Sequence, residues 1–303
     1  MPQNDGPWTV RKTLEWTTAF FARKAVDAPR LSAELLLAHV LSFPRIKLYT
    51  DYERALTDEE RNRLRDLVGR ASEHEPIAYL TGRAHFFNLE FEVTRDVLIP
   101  RPDTETLVEN VIQTVRRHVV LDTPRVLDLC TGSGCIAAAI AQGIKNSVVV
   151  ATEISLPAAA VARRNIEKLG LAGRVTIEEG DLFEPLKRIV DPQPFDLIVG
   201  NPPYIASSQM PALDRSVRDY EPHTALDGGP DGLTLHRRIL AEAPSRLNPG
   251  GRLFLEIAFD QGKLALEVAS GYEGWEDIRV IKDLGGNDRV LTAIKSGRAV
   301  EST

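Results

Sequence analysis

Val126-Leu127-Asp128-Leu129-Cys130-Thr131-Gly132-Ser133-Gly134-Cys135, running into Ile136-Ala137-Ala138-Ala139-Ile140, limits what this chain can become more than any other stretch. An apolar run, a turn of small residues and a second apolar run read as a buried strand, a tight loop and the first turns of a helix. Backbone approaches a nucleotide-like ligand most closely in that arrangement. Gly132 and Gly134 permit the approach because they lack a Cβ. The loop is not the G-x-G-x-x-G of a pyrophosphate cradle. Its root is acidic: Asp128 would repel a phosphate but suits a sulfonium or an amine, which favours S-adenosylmethionine over a nicotinamide dinucleotide.

Further strand ends follow in order. Ser147-Val148-Val149-Val150-Ala151-Thr152-Glu153 ends in a carboxylate about 20 residues beyond the glycines, where an acid can hold ribose hydroxyls. Val175-Thr176-Ile177-Glu178 leads to Gly180-Asp181-Leu182-Phe183, in which Asp181 can accept from an adenine amine and Leu182 can pack on its ring. Additional strands are expected near residues 195, 252, 278 and 288, with helical stretches between the earlier ones. Such alternation predicts a mostly parallel sheet covered on both faces, with ligands outside the carboxyl ends of its strands.

The strand Phe195-Asp196-Leu197-Ile198-Val199-Gly200 runs into Asn201-Pro202-Pro203-Tyr204. Consecutive prolines have fixed φ and no N–H, so their carbonyls are free to accept from something other than the fold. A primary amide or an exocyclic base amine has two N–H donors. The Asn201 side-chain oxygen and the Pro202 carbonyl can meet both, with Tyr204 stacking on the planar substrate. A plain turn after a strand fits the same four residues.

At 303 residues and 43% hydrophobic, the chain can bury two ordinary cores. No stretch reaches the roughly 18 to 20 apolar residues of a membrane span and no secretory signal opens the chain, so a soluble cytoplasmic protein is expected. A net charge of −6 without a long basic block argues against binding driven by a nucleic-acid backbone. Cys130 and Cys135 are expected as free, small buried residues, and His39, His74, His85, His118, His223 and His236 are too scattered for a metal or nucleophile constellation.

Residues 1–83 carry helical periodicity. Ser32 is placed at a helix start, Pro44 lies beyond its end, and Thr57 with Glu60 forms a capping-box pattern. Arg61, Arg63, Arg65 and Arg70 are read as a solvated face ahead of a docking surface. From residue 84 to 100 the pattern becomes short alternation, a hairpin linker that ends at Pro100-Arg101-Pro102. Residues 101–303 form the α/β domain. The long loop after Tyr204 ends in Asp227-Gly228-Gly229-Pro230-Asp231-Gly232-Leu233 and reads either as a lid or as irregular chain.

Taken together, Leu98-Ile99-Pro100-Arg101-Pro102-Asp103-Thr104-Glu105, the Asp128–Cys135 loop, Asn201–Tyr204 and Gly228–Leu233 resemble the PrmC/HemK family of peptide-chain release-factor glutamine methyltransferases. Pro76–Gly82 and Asp283–Val290 resemble it too, so the likeness spans about residues 30 to 294. It implies a class I methyltransferase fold, Rossmann-like, with a mostly parallel seven-stranded sheet, joined to an N-terminal helical bundle that docks the release factor. By position it implies cofactor contacts from Cys130, Thr131, Gly132, Ser133, Gly134, Glu153, Leu182 and Asn201, and a glutamine held by Asn201, Pro202, Pro203 and Tyr204. The family usually has glycine at the place of Cys130. A sister group acting on a large-subunit ribosomal protein often carries the same Cys-Thr-Gly-Ser-Gly-Cys, and adenine amine methyltransferases share the four-residue mouth. Those two substrates stay open, as does a non-catalytic translation module.

Overall fold

The computed structural model describes residues 7–117, 122–188 and 193–297. His118 lies outside them. The chain forms two compact units, Met1–Arg83 with Asp214–Tyr220, and Ala84–Leu213 with Glu221–Thr303.

The first unit contains α1 (Val10–Arg23), α2 (Pro29–Leu41), α3 (Lys47–Thr50), α4 (Asp58–Ser72) and α5 (Ile77–Thr81). Phe21, Leu36, Leu37, Leu48 and Leu64 make its core. The capping box forms: Thr57 Oγ1 accepts from the Glu60 N–H at 3.2 Å while Glu60 Oε2 accepts from the Thr57 N–H at 2.8 Å. Helix α2 begins three residues before the predicted Ser32. Pro29 supplies a φ already suited to a first helical position, and the Ser32 hydroxyl instead donates to the Asp27 carbonyl at 2.8 Å.

The second unit opens with a hairpin, β1 (Arg83–Phe86) and β2 (Leu89–Glu92); Val97–Ile99, inside the stretch expected as a hairpin linker, is irregular. A short 3₁₀ turn, Pro102–Thr104, leads into α6 (Glu105–Arg117), whose Leu107, Val108, Val111 and Ile112 are buried. Then come β3 (Arg125–Leu129), α7 (Cys135–Gly143), β4 (Val148–Glu153), α8 (Leu156–Lys168), β5 (Val175–Glu179) and β6 (Phe195–Gly200). The rest comprises α9 (Arg215–Arg218, clustered with the first unit), α10 (Thr234–Glu242), β7 (Leu247–Glu256), α11 (Gly262–Ser270), β8 (Trp275–Lys282) and β9 (Asp288–Lys295). The seven-stranded sheet has the order β5-β4-β3-β6-β7-β9-β8; β5 through β7 are parallel, and β9 is antiparallel to both its neighbours. The fully buried strands need cover on both faces, and two separate apolar clusters provide it.

This order places the ends of β3, β4, β5 and β6 side by side, with the crossover direction reversing between β3 and β6, where ligands bind in open α/β sheets. Gly200 closes β6 against β3: a Cβ there would stand 2.8 Å from the Leu129 carbonyl oxygen. None of the described helices is long and apolar enough to cross a membrane.

Candidate active site

A cavity of about 570 Å³ opens over these strand ends. That is ample for a nucleoside-sized ligand. Cys130 and Gly132 line it from β3, Glu153 and Ile154 from β4, Asp181 and Leu182 from β5, and Asn201 and Pro203 from β6. Asp96–Leu98 and Pro222–Ala225 complete the wall, with Arg238 from α10. Thus Cys130, Gly132, Glu153, Asp181, Leu182, Asn201 and Pro203 are brought together around one cavity. Asp128, Thr131, Ser133, Gly134, Pro202 and Tyr204 are not among the lining residues.

Asp128 shows what a residue beneath the loop does. It is fully buried, and its Oδ2 accepts from the Thr131 hydroxyl at 2.6 Å and the Ala137 N–H at 3.2 Å, bracing the turn from below. Burial, the largest influence, pushes its pKa up to about 7. The predicted direct meeting with a sulfonium is replaced here by support of the backbone that forms the cavity floor. Glu153 braces the loop from the side. Its Oε2 accepts from the Gly132 N–H and its Oε1 from the Ser155 N–H, both at 2.9 Å. Each oxygen keeps a further lone pair, and the residue lines the cavity, so it can accept from vicinal hydroxyls. Burial raises its pKa.

Asn165, unremarkable in the sequence, is a third brace. Wholly buried in α8, it donates to the Ser133 carbonyl at 2.9 Å and the Glu92 carbonyl at 3.0 Å, and accepts from the Glu92 N–H at 2.7 Å. The loop is therefore set before any ligand arrives. Cys130 has φ +58° and Leu182 φ +48°, both in the left-handed region that costs an L side chain about 1–2 kcal/mol. Both strained residues line the cavity, and strain of this kind collects at functional sites. Cys130 and Cys135 are free thiols; Cys135 is buried and Cys130 half-buried.

Asp181 Oδ2 accepts from Arg238 at 2.6 Å, so the acid predicted to meet an adenine amine has a partner already. Its other oxygen carries no bond among the described residues.

The Asn-Pro-Pro-Tyr turn is clamped from outside. Gly228 approaches so closely that a Cβ there would lie 2.6 Å from the Pro203 carbonyl oxygen, and Gln261 Nε2 donates to the Tyr204 carbonyl at 2.8 Å. Asn201 Nδ2 donates to Thr104 Oγ1 at 3.3 Å. Among the described residues no donor ends on Asn201 Oδ1 or on the Pro202 carbonyl. Tyr204, expected to stack on a substrate, directs its hydroxyl inward to Glu256 Oε1 at 3.1 Å. A half-buried aromatic OH needs a partner, and the carboxylate that ends β7 supplies it.

Several contributors were missed in the sequence. Arg101 pairs with the buried Glu221, whose Oε2 also accepts from the Ile99 N–H at 3.1 Å, so the segment that begins the cavity roof is tied to Leu98–Arg101. His223, read as structural, lines that roof. Glu256 did carry a signal: like Asp128 and Glu153, it is an acid inside an apolar strand, Leu253-Phe254-Leu255-Glu256-Ile257.

Residues 12–82 match the PrmC N-terminal domain family, and residues 103–217 match the Methyltransferase small domain family. The release factor glutamine methyltransferase of Rhodopirellula baltica is 42% identical over 294 residues, covering 97% of this chain and 98% of the relative. The protein of the same name from Geobacter sulfurreducens is 44% identical, over 94% of this chain and 96% of its own. The crystal structure of a methyltransferase from Pyrococcus furiosus superposes with a TM-score of 0.50 at 23% identity, covering 78% of this chain and 98% of that one, a likeness of fold. With that fold, that cavity and relatives matched along nearly their whole length, the chain belongs to the release factor glutamine methyltransferase family.

Proposed function

We propose that the protein methylates the side-chain amide nitrogen of the glutamine in the Gly-Gly-Gln motif of peptide chain release factors, in the cytoplasm where translation ends. The observation that carries this is a pair of oxygen acceptors at the tip of β6, Asn201 Oδ1 and the Pro202 carbonyl, on which no donor ends among the described residues, with Asn201 and Pro203 lining the cavity. Glu153, Gly132, Leu182 and the open floor around them fit S-adenosylmethionine, with Glu153 on the ribose. When bound, that cofactor supplies an electrophilic methyl group on a sulfonium.

An amide nitrogen is a poor nucleophile because its lone pair is delocalised into the carbonyl. Asn201 Oδ1 and the Pro202 carbonyl accept its two N–H bonds and hold the nitrogen so that the lone pair faces the methyl group, a positional gain. Positive charge grows on nitrogen as the bond forms. The same acceptors stabilise that charge more than the ground state, in a cavity partly lined by Leu98 and Pro222–Ala225. The cation first formed, with the methyl group and both hydrogens on the amide nitrogen, is acidic enough to release a proton to water, so no strong base is needed. Residues 1–83 serve to dock the release factor, 84–100 to link, and 101–303 to catalyse.

The test is mass spectrometry of release factor after incubation with the protein and S-adenosylmethionine. One added methyl on the Gly-Gly-Gln glutamine supports the assignment. Transfer to a ribosomal protein or to adenine in nucleic acid, with none to release factor, rejects it.

A further inference from the structure

We propose that Glu256 is a positioning residue for methyl transfer, which from the end of β7 sets the direction of a hydrogen-bond chain through Thr104 to the Asn201 amide and anchors the Tyr204 hydroxyl. This rests on the role given to Asn201 above. Glu256 is fully buried and is not one of the residues that line the cavity. A carboxylate in such a place is costly unless something uses it.

Its surroundings are specific. Tyr204 donates to Oε1 at 3.1 Å. Thr104, 2% exposed, lies near enough to favour the ionised form of the same carboxylate, and among the described residues no hydrogen bond of ordinary geometry ends on Oε2, which leaves that oxygen to the Thr104 hydroxyl. Arg289 and Asp103 face it with opposite signs, and Arg289 is itself bound to Asp103 at 3.1 Å and Asp283 at 3.2 Å. From α10, His236 Nε2 lies 2.8 Å from the Glu256 backbone carbonyl, and Cys135 on α7 feels the carboxylate's charge.

The polarity of the chain follows from what each group can do. An ionised carboxylate only accepts, so the hydroxyl hydrogens of Tyr204 and Thr104 both turn toward it. The Thr104 lone pairs then face Asn201, which must meet them with its NH2, at 3.3 Å. Its oxygen is thereby turned away from Thr104 and kept for the substrate amide. A protonated Glu256 gains a donor and lets the chain reverse. Asn201 would then offer its oxygen to Thr104 and its NH2 to the substrate, donor against donor. Burial places the group where this choice is made near neutrality, at about 7.

The experiment is steady-state methyl transfer to purified release factor between about pH 6 and about pH 8.5, with separate titration of S-adenosylmethionine, for wild type, Glu256→Gln, Thr104→Val and the double variant. The expected wild-type kcat falls as pH drops through about 7. Glu256→Gln lowers kcat at the alkaline end by about 10- to 100-fold through misorientation, leaves cofactor affinity in place and abolishes the acidic limb. Thr104→Val does the same, and the double variant is within about threefold of either single one, as for residues in one chain. Should Glu256→Gln not fold, the Thr104→Val profile decides alone. A wild-type kcat in Glu256→Gln, a persisting acidic limb in either variant, or losses that multiply would overturn the proposal. A wild type that moves no methyl to glutamine fails the assigned function instead, so the two failures are distinct.

Discussion

Replacing Asn201 with alanine removes one of the two acceptors proposed for the glutamine NH2 and leaves the glycine loop and Glu153 in place. In the wild type the side chain is fixed by its 3.3 Å donation to Thr104, so its oxygen is presented without reorganisation. Without it, one substrate N–H loses its protein acceptor, a loss of about 1–2 kcal/mol for a neutral group. Growing charge on nitrogen roughly doubles the strength of such a bond. We therefore expect a transition-state loss of about 2–4 kcal/mol, or kcat lower by about 30- to about 900-fold. Glu153 and Gly132 are untouched, so the dissociation constant for S-adenosylmethionine should change by less than about threefold, a shift under about 0.7 kcal/mol. Tritiated methyl transfer to release factor gives the first quantity and calorimetric titration the second. A kcat within threefold of wild type, or cofactor affinity falling in step with kcat, would refute the reasoning.

Arg101→Ala leaves Glu221, 1% exposed in its side chain, with only the Ile99 N–H among the described residues; because Arg101 itself is 31% exposed and water admitted by its removal offsets part of the loss, about 2–4 kcal/mol of stability should go, read from the urea midpoint. Gly228→Ala forces a Cβ to within 2.6 Å of the Pro203 oxygen, and should cost about 1–3 kcal/mol while lowering kcat, seen by pairing thermal unfolding with methyl transfer. His236 has a pKa lowered from 6.5 to about 4, chiefly by burial, its Nε2–H donating to the Glu256 carbonyl and its Nδ1 unpartnered. The unfolded state binds the proton first, so His236 is neutral without penalty above about pH 6.5, and stability is lost as pH falls from there to about 4, by about 3 kcal/mol. Urea unfolding across that window should show this loss in wild type and not in His236→Gln, which keeps the donor; equal slopes would count against it.

Local signals carried the sheet. Val126–Cys135, Ser147–Glu153 and Phe195–Tyr204 each hold strand, turn and flanking residues within a dozen positions, so their physics is complete in the sequence. The same is true of the Thr57 capping box. Where neighbours came from afar, the sequence misled or was silent. Ser32 lost the helix start to Pro29, three residues away. Asp181 met Arg238 from α10. Tyr204 turned to Glu256, 52 residues on, because a phenol hydroxyl beneath the surface needs an acceptor more than its ring needs a flat partner.

What the sequence by itself determined, then, is which strands end in a glycine turn, in a carboxylate and in a pair of prolines, since strand, turn and proline geometry act over a few residues. Only the tertiary structure decided which acids face the cavity and which hold it up. Asp128, Glu153 and Glu256 all end or nearly end apolar strands, yet one braces the floor, one lines the cavity and one lies behind the acceptor turn. The difference is set by strand order and by partners such as Thr131, Gly132 and Tyr204, which packing brings to each carboxylate from different distances along the chain.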